Sequence, residues 1–456
     1  MRSCFTVIAL LAITVLHAQN EDSIMLRRIA DEILVNGKAY DNLHELTKKV
    51  GHRLTASPGW YKAESWGLKA IKDAGADKSY LQQCMVPHWV RGGKDEAKYF
   101  TGNDRSGKAL DVLALGNSNG TGPKGITAPI ILINSFNELE SRKDEVKGRI
   151  VFYNYKFDPR FIETFNSYRD AVRYRGQGPS RAAKYGAFGT LVRSMTHAAD
   201  NNPHTGGMSY NDSFPKIPAL AVGIRDADKL AETISANKEV KLFMKSNARM
   251  LPDTIAHNVI GELTGSEFPE EIITVGGHLD SWDPAEGAHD DGAGCVQAIE
   301  VIRVLKAIGY KPKRTIRAVL FANEENGGRG GQKYAAEAKA KNEKHIFAIE
   351  SDAGGFTPRY LGFTMSREKQ DKVKQWLPLF RPYLILEFRE SGGGADINPL
   401  NRELGTPVAG FTPDSQRYFD IHHARSDVFE AVNKRELELG AINMAAIVYL
   451  IDKYGL

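Results

Sequence analysis

Past residue 250 the chain alternates short apolar runs with longer stretches whose apolar positions recur at helical spacing. Strands are predicted over 271–276, 315–321, 346–349, 384–388 and 407–410, and helices over 293–308, 332–340, 368–380 and 434–454. Strands separated by helices of this length imply a mostly parallel sheet sandwiched between helices. In such sheets a ligand site lies outside the carboxyl ends of the strands. Upstream, helical patterns at 24–35, 43–50 and 60–74 give way to strand-like runs at 80–86 and 109–115. The stretch Asn117-Ser118-Asn119-Gly120-Thr121-Gly122-Pro123 is turn chemistry and reads as a boundary. From there to residue 248 short apolar runs (129–133, 149–153, 189–192, 219–222) mix with a few helices (180–185, 226–236), the pattern of a separate small β-rich unit. The expected architecture is α/β: a mixed, mostly parallel sheet between helices, built from residues 19–122 and 249–456, with a β-rich unit inserted at 123–248.

The first eighteen residues stand apart. Arg2, an apolar run from Cys4 to Leu16 and the sequence Leu16-His17-Ala18 read as a secretory signal (1–18), leaving a mature chain that starts near Gln19. The run is shorter than the roughly 20 apolar residues that span a bilayer, and no later segment is long and apolar enough. A secreted, periplasmic or extracellular protein with no membrane partner after signal removal is expected. The 456 residues, 42% hydrophobic and 25% charged, fit a globular chain of two or three structural units. Sixty basic against fifty-six acidic residues give +4, too balanced to point to nucleic acid. With Cys4 lost, Cys84 and Cys295 make no disulfide framework. Cys295 falls in a predicted helix beside Val296, Ile299, Ile302 and Leu305 and reads as a buried free thiol.

The polar clusters fall where the sheet rule places active sites. His278-Leu279-Asp280 follows one strand, His289-Asp290-Asp291-Gly292 opens the next helix, and Asn323-Glu324-Glu325-Asn326 and Ser351-Asp352 follow two further strands. His422-His423 lies in the last loop. Singly each is weak: an Asp at a helix start such as Asp291 is more often an N-cap than a ligand, and paired Glu in a loop is usually solvated. Together, strands running directly into His, Asp and Glu would bury carboxylates at a cost that a divalent cation offsets. Imidazole and carboxylate donors suit zinc or a similar metal. Gly116-Asn117-Ser118-Asn119-Gly120 fits the nucleophile-elbow spacing, but Thr-Gly-Pro follows it instead of a helix, so Ser118 is not read as a nucleophile. The run Ser391-Gly392-Gly393-Gly394 reads equally as a donor of backbone N–H groups to substrate or as a mobile loop.

These motifs, taken with Gly276-Gly277 before His278, Ser281-Trp282-Asp283 after it, Glu350 before Ser351, Ala395-Asp396-Ile397 and Asp427, resemble in order those of the co-catalytic dizinc exopeptidases that include leucyl aminopeptidases and glutamate carboxypeptidases. The likeness runs from about Leu43 to the C-terminus. It implies two Zn²⁺ per chain, one held by Asp290, Glu325 and His423 and one by His278, Asp352 and the bridging Asp290. It also implies Asp280 as acceptor of the second ring proton of His278, Glu324 as general base toward a metal-bridging hydroxide, and a cis peptide between Asp290 and Asp291. Adjacent residues in an extended loop point opposite ways, so only one of His422 and His423 is expected to reach the metals. The family spacing to Asp427 selects His423, with His422 pointing elsewhere. His289 and Val428 depart from the family pattern at positions that are not ligands. The segment 123–248 resembles the protease-associated domain that members often carry. The implied activity is hydrolysis of dipeptides or terminal bonds of short peptides, by a carboxypeptidase or an aminopeptidase, with a homodimer left open. A glutaminyl-cyclase-like acyl transferase, which works with one zinc, and a non-catalytic receptor-like relative, which lacks ligands, are the alternatives.

Overall fold

The computed structural model describes residues 21–237 and 239–456, so the expected signal segment 1–18 lies outside the described residues. A helix over 21–36 and α1 (Pro58–Asp73) lead into the first sheet. Ser57 caps α1 by accepting the Trp60 N–H, Pro58 occupies the first turn, and Trp60, Ala63, Ala70 and Ile71 are buried. Strand β1 (Lys78–Val90) is the edge of that sheet.

The chain then builds a second sheet from β2 (Glu96–Thr101), β3 (Lys108–Leu110), β4 (Val112–Ala114), β5 (Ile126–Ile133), β6 (Ile150–Tyr153), β7 (Gly189–Arg193), β8 (Ala219–Val222) and β9 (Val240–Lys245). Its order is β3-β2-β9-β5-β6-β7-β8-β4, with α2 (Thr164–Gly176) between β6 and β7. This corrects the expected start of the inserted unit at 123: β2 pairs with β9 and β4 with β8, so the change of sheet precedes Glu96 and the Asn117–Pro123 turn lies inside the unit. Turn residues mark a chain reversal. They do not say which sheet the flanking strands join, because β9 and β8, which tie β2 and β4 into the second sheet, lie more than a hundred residues downstream.

The chain returns through β10 (Arg249–Leu263), β11 (Phe268–His278), α3 (Ala293–Ala307), β12 (Arg314–Phe321), α4 (Arg329–Ala340), β13 (Lys344–Ser351), β14 (Pro358–Thr364), β15 (Glu387–Arg389), β16 (Val408–Pro413) and α5 (Lys434–Tyr454). The first sheet runs β1-β10-β12-β11-β13-β16-β14-β15, its four central strands β12-β11-β13-β16 parallel. From Ile273 to His278, β11 is buried throughout, which is why it reads as continuous apolar sequence. Helix α3 buries twelve of its fifteen residues, Cys295 among them, and packs against α5. Cys84 and Cys295 are both buried and free. From β11 the chain passes to β12 on one side, then crosses to β13 on the other. The end of β11 is therefore a topological switch point, where such sheets bind ligands.

Candidate metal centre

His278 is the last residue of β11, Glu324 and Glu325 follow β12, and Asp352 follows β13, so three neighbouring strands deliver their polar ends to one place. Asp290 arrives just ahead of α3, where the Asp290–Asp291 peptide is cis. The Asp290 carboxylate lies between two imidazoles, with Oδ1 3.2 Å from His278 Nε2 and Oδ2 3.2 Å from His423 Nε2. Asp352 Oδ1 is 3.4 Å from His278 Nε2, and Glu325 Oε2 is 3.1 Å from His423 Nε2. All five residues expected as ligands converge.

The surroundings fix this arrangement. Asp427 accepts the N–H groups of His289 (2.7 Å) and Asp290 (3.1 Å). Asp291 accepts those of His278 (3.0 Å) and Gly294 (2.9 Å), so it caps α3 and ties it to β11, a structural role as its position suggested. His289 turns away, its Nδ1 accepting the Gly355 N–H at 3.0 Å while its ring stacks on Phe356. Arg53, fully buried, donates to the carbonyls of Leu279, Glu286 and Gly287 and clamps the loop between His278 and Asp290. No motif marks Arg53; only its fold neighbours reveal it.

Two expectations need correction. His422 does not point elsewhere: its Nε2 is 3.7 Å from Asp290 Oδ2, and its ring stacks on that of His423 with centroids 3.6 Å apart. The reason is backbone conformation. His423 has φ +60°, in the left-handed region, so the alternation of an extended loop fails and both rings turn to the same side. His423 still makes the shorter approaches to Asp290 and Glu325. Asp280 also behaves differently: His278 Nδ1 is 3.0 Å from the Asp280 backbone carbonyl but 3.6 Å from its carboxylate. The carboxylate instead accepts the N–H groups of Glu324 (3.1 Å) and Glu325 (3.3 Å) and so aims that loop. As for the glycine run, Gly392 approaches the backbone of Gly362 and Gly394 the Glu350 carboxylate too closely to admit a Cβ, a packing reason for glycine that neither earlier reading contained. Ser118 is fully buried, against a nucleophilic role.

The charge balance calls for a cation. Burial together with the Asp290 charge pushes Glu325 up to about 7. Burial, Asp352 and Glu325 raise Glu324 well above the usual carboxylate range. Burial alone would lower His423, but Glu325 and Asp290 outweigh it and raise it to about 10. Asp290 Oδ2 and Glu325 Oε1 are buried with no aligned hydrogen-bond donor among the described residues. Crowded acids holding protons beside imidazoles drawn into the charged form are what an all-oxygen-and-nitrogen metal site looks like when protons stand in for the ion. The donor set fits zinc. The centre opens into a cavity of about 260 Å³ whose far wall, Phe165, Tyr168, Arg175 and Gly207, comes from the second sheet unit.

A switch-point cluster of His, Asp and Glu at parallel strand ends could hold metal, and comparison with known proteins makes the chain a metallo-exopeptidase. The chain belongs to peptidase family M28, whose model matches residues 258–448. Carboxypeptidase Q of Homo sapiens is 35% identical over 423 residues, covering 92% of this chain and 87% of that protein. A peptidase M28 precursor from Shewanella amazonensis SB2B superposes with a TM-score of 0.90 at 30% identity, covering 95% of this chain and 97% of that one. BSAP, a zinc aminopeptidase from Bacillus subtilis, shares the fold with a TM-score of 0.65 at 19% identity, covering 91% and 95%. Among the described residues no helix is long and apolar enough to cross a membrane.

Proposed function

We propose that the chain is a secreted dizinc exopeptidase that hydrolyses dipeptides or the terminal bond of short peptides. One zinc would be held by Asp290, Glu325 and His423, the other by His278, Asp352 and Asp290 again. The observation that carries this reading is the Asp290 carboxylate, with an imidazole nitrogen 3.2 Å from each of its oxygens. A carboxylate so flanked can serve two cations at once, which favours two metals over the single zinc of a cyclase-type acyl transferase. The intact donor set argues against a receptor-like relative.

Bound zinc supplies a Lewis acid and lowers the pKa of water to about 7. The chain's own residues do the rest. Glu324, in its ionised form, takes the proton from the attacking water and returns it to the leaving amine. Asp280 holds the Glu324 and Glu325 backbone, and Asp427 holds the bridging Asp290. The second sheet unit, read as a protease-associated-like domain, walls the cavity with Phe165, Tyr168 and Arg175 and so suits short substrates.

Metal analysis of the purified protein tests this. About two zinc equivalents per chain are expected, with loss of dipeptide hydrolysis on chelation and recovery on adding zinc. Full activity after exhaustive chelation would contradict it.

A further inference from the structure

His423 meets the metal cluster with one ring nitrogen and the second sheet unit with the other. Its Nδ1 lies 3.3 Å from the carbonyl oxygen of Thr205. Thr205 returns the contact, its N–H donating to the His423 carbonyl at 3.0 Å. Arg175 Nη1, 3.4 Å from the same nitrogen, is a donor and takes no proton, and it too donates to the Thr205 carbonyl, at 3.3 Å. Thr205 is fully buried and pinned by its hydroxyl, which donates to the Ala114 carbonyl at 2.8 Å. The next residue is Gly206 at φ +130°, where a Cβ would stand 2.6 Å from His423 Nδ1 and clash with the Arg175 guanidinium. The Gly206 carbonyl in turn accepts the Gly116 N–H at 2.9 Å. Thr205 and Gly206 thus lie on a loop of the second sheet unit, away from the strands that deliver His278, Glu325 and Asp352.

We infer that Thr205 is a positioning residue for the metal centre: its carbonyl keeps the proton on His423 Nδ1 and leaves Nε2 free to face Asp290 and Glu325 as a ligand. A neutral imidazole has one N–H and one lone pair, so the acceptor at one nitrogen decides which nitrogen binds metal. The inserted unit is then part of the metal site as well as a wall of the cleft. This rests on the dizinc reading above. The dependence is selective, because His278 has an acceptor inside the first unit, the Asp280 carbonyl at 3.0 Å.

The test uses the full chain with zinc alone as probe, titrated against a chromophoric chelator. Thr205→Val removes the anchor to Ala114 with little change of shape, Gly206→Ala drives a methyl group at His423, and Thr205→Ser restores the hydroxyl. Wild type should bind two ions. In Thr205→Val and Gly206→Ala one ion should keep its affinity while the other weakens about 10–100-fold, the usual cost of losing an outer partner of a ligand. Thr205→Ser should bind as wild type does. In zinc-loaded protein with ¹⁵N-labelled histidine, one protonated Nδ1 signal should shift in Gly206→Ala, a change that general loosening would not confine to one ring. If Gly206→Ala does not fold, Thr205→Val carries the test. Both ions held unchanged in Thr205→Val, both weakened equally, or Thr205→Ser as impaired as Thr205→Val would each overturn the inference. Wild type binding no zinc would overturn the dizinc reading itself, which separates the two failures.

Discussion

Glu324 and Glu325 are adjacent, yet the proposed function gives them different work. Both line the cavity and both backbone N–H groups are held by Asp280, but only Glu325 approaches an imidazole, His423 at 3.1 Å. Glu324→Gln should therefore lower the rate of dipeptide hydrolysis by about 10²–10⁴-fold, the range for lost general-base help, while zinc content hardly changes. Glu325→Gln should instead deplete zinc. The reverse pattern in metal analysis and kinetics would show the two roles exchanged. At this scale the sequence was informative where chemistry depends on residue type at a strand end, as with His278, Glu325 and Asp352. It was silent where backbone torsion decides. Nothing in a His-His pair announces that the second will adopt φ +60° and bring both rings to Asp290. Nor does Asp280, two residues past His278, reveal that its carbonyl and not its carboxylate will meet the ring.

Two elements meet at the centre with no room to spare, β11 and the start of α3. A Cβ at Gly277 would strike the Asp291 carboxylate, and one at Gly294 would strike both that carboxylate and the Ser351 carbonyl. Gly294→Ala should destabilise the protein by about 1–3 kcal/mol, the cost of overpacking a tight contact, measured as a lowered midpoint in urea. An unchanged midpoint would mean that α3 is free to slide along β11. Elements of this kind were legible, since the buried parts of β11, β12 and α3 carry dense apolar runs such as Ile272–Val275, Ala318–Phe321 and Val301–Leu305 with few polar interruptions. Others were not. The helix expected over 368–380 stops at Lys374 and restarts at Leu377, next to Pro378. The run 109–115 splits at Asp111 into two strands, and β14, with Pro358, Arg359 and Gly362, lacks the apolar density that marks a strand in isolation.

Over the whole molecule, proton and metal binding compete. Burial raises Glu325 and Asp427 to about 7, against unfolded values near 4. As pH rises through this window the unfolded chain has already released protons that the metal-free fold still holds, so stability falls. His423, lowered by burial but raised further by Glu325 and Asp290 to about 10, contributes its full stability below about pH 6.5 and loses it as pH rises from there through about 10. Zinc needs these groups deprotonated and binds more tightly as pH rises. The gap in melting temperature between zinc-loaded and metal-free protein should therefore widen from about pH 6 to about pH 8; a gap that narrows would remove these residues from the ligand set. The secreted reading predicts that N-terminal sequencing of the exported protein starts near Gln19. The most direct measurement of the central claim is anomalous diffraction at the zinc edge from crystals of the zinc-loaded protein. Two peaks are predicted, one on each side of the Asp290 carboxylate, the first beside Glu325 and His423 and the second beside His278 and Asp352. A single peak, or zinc bound away from Asp290, would contradict the dizinc account.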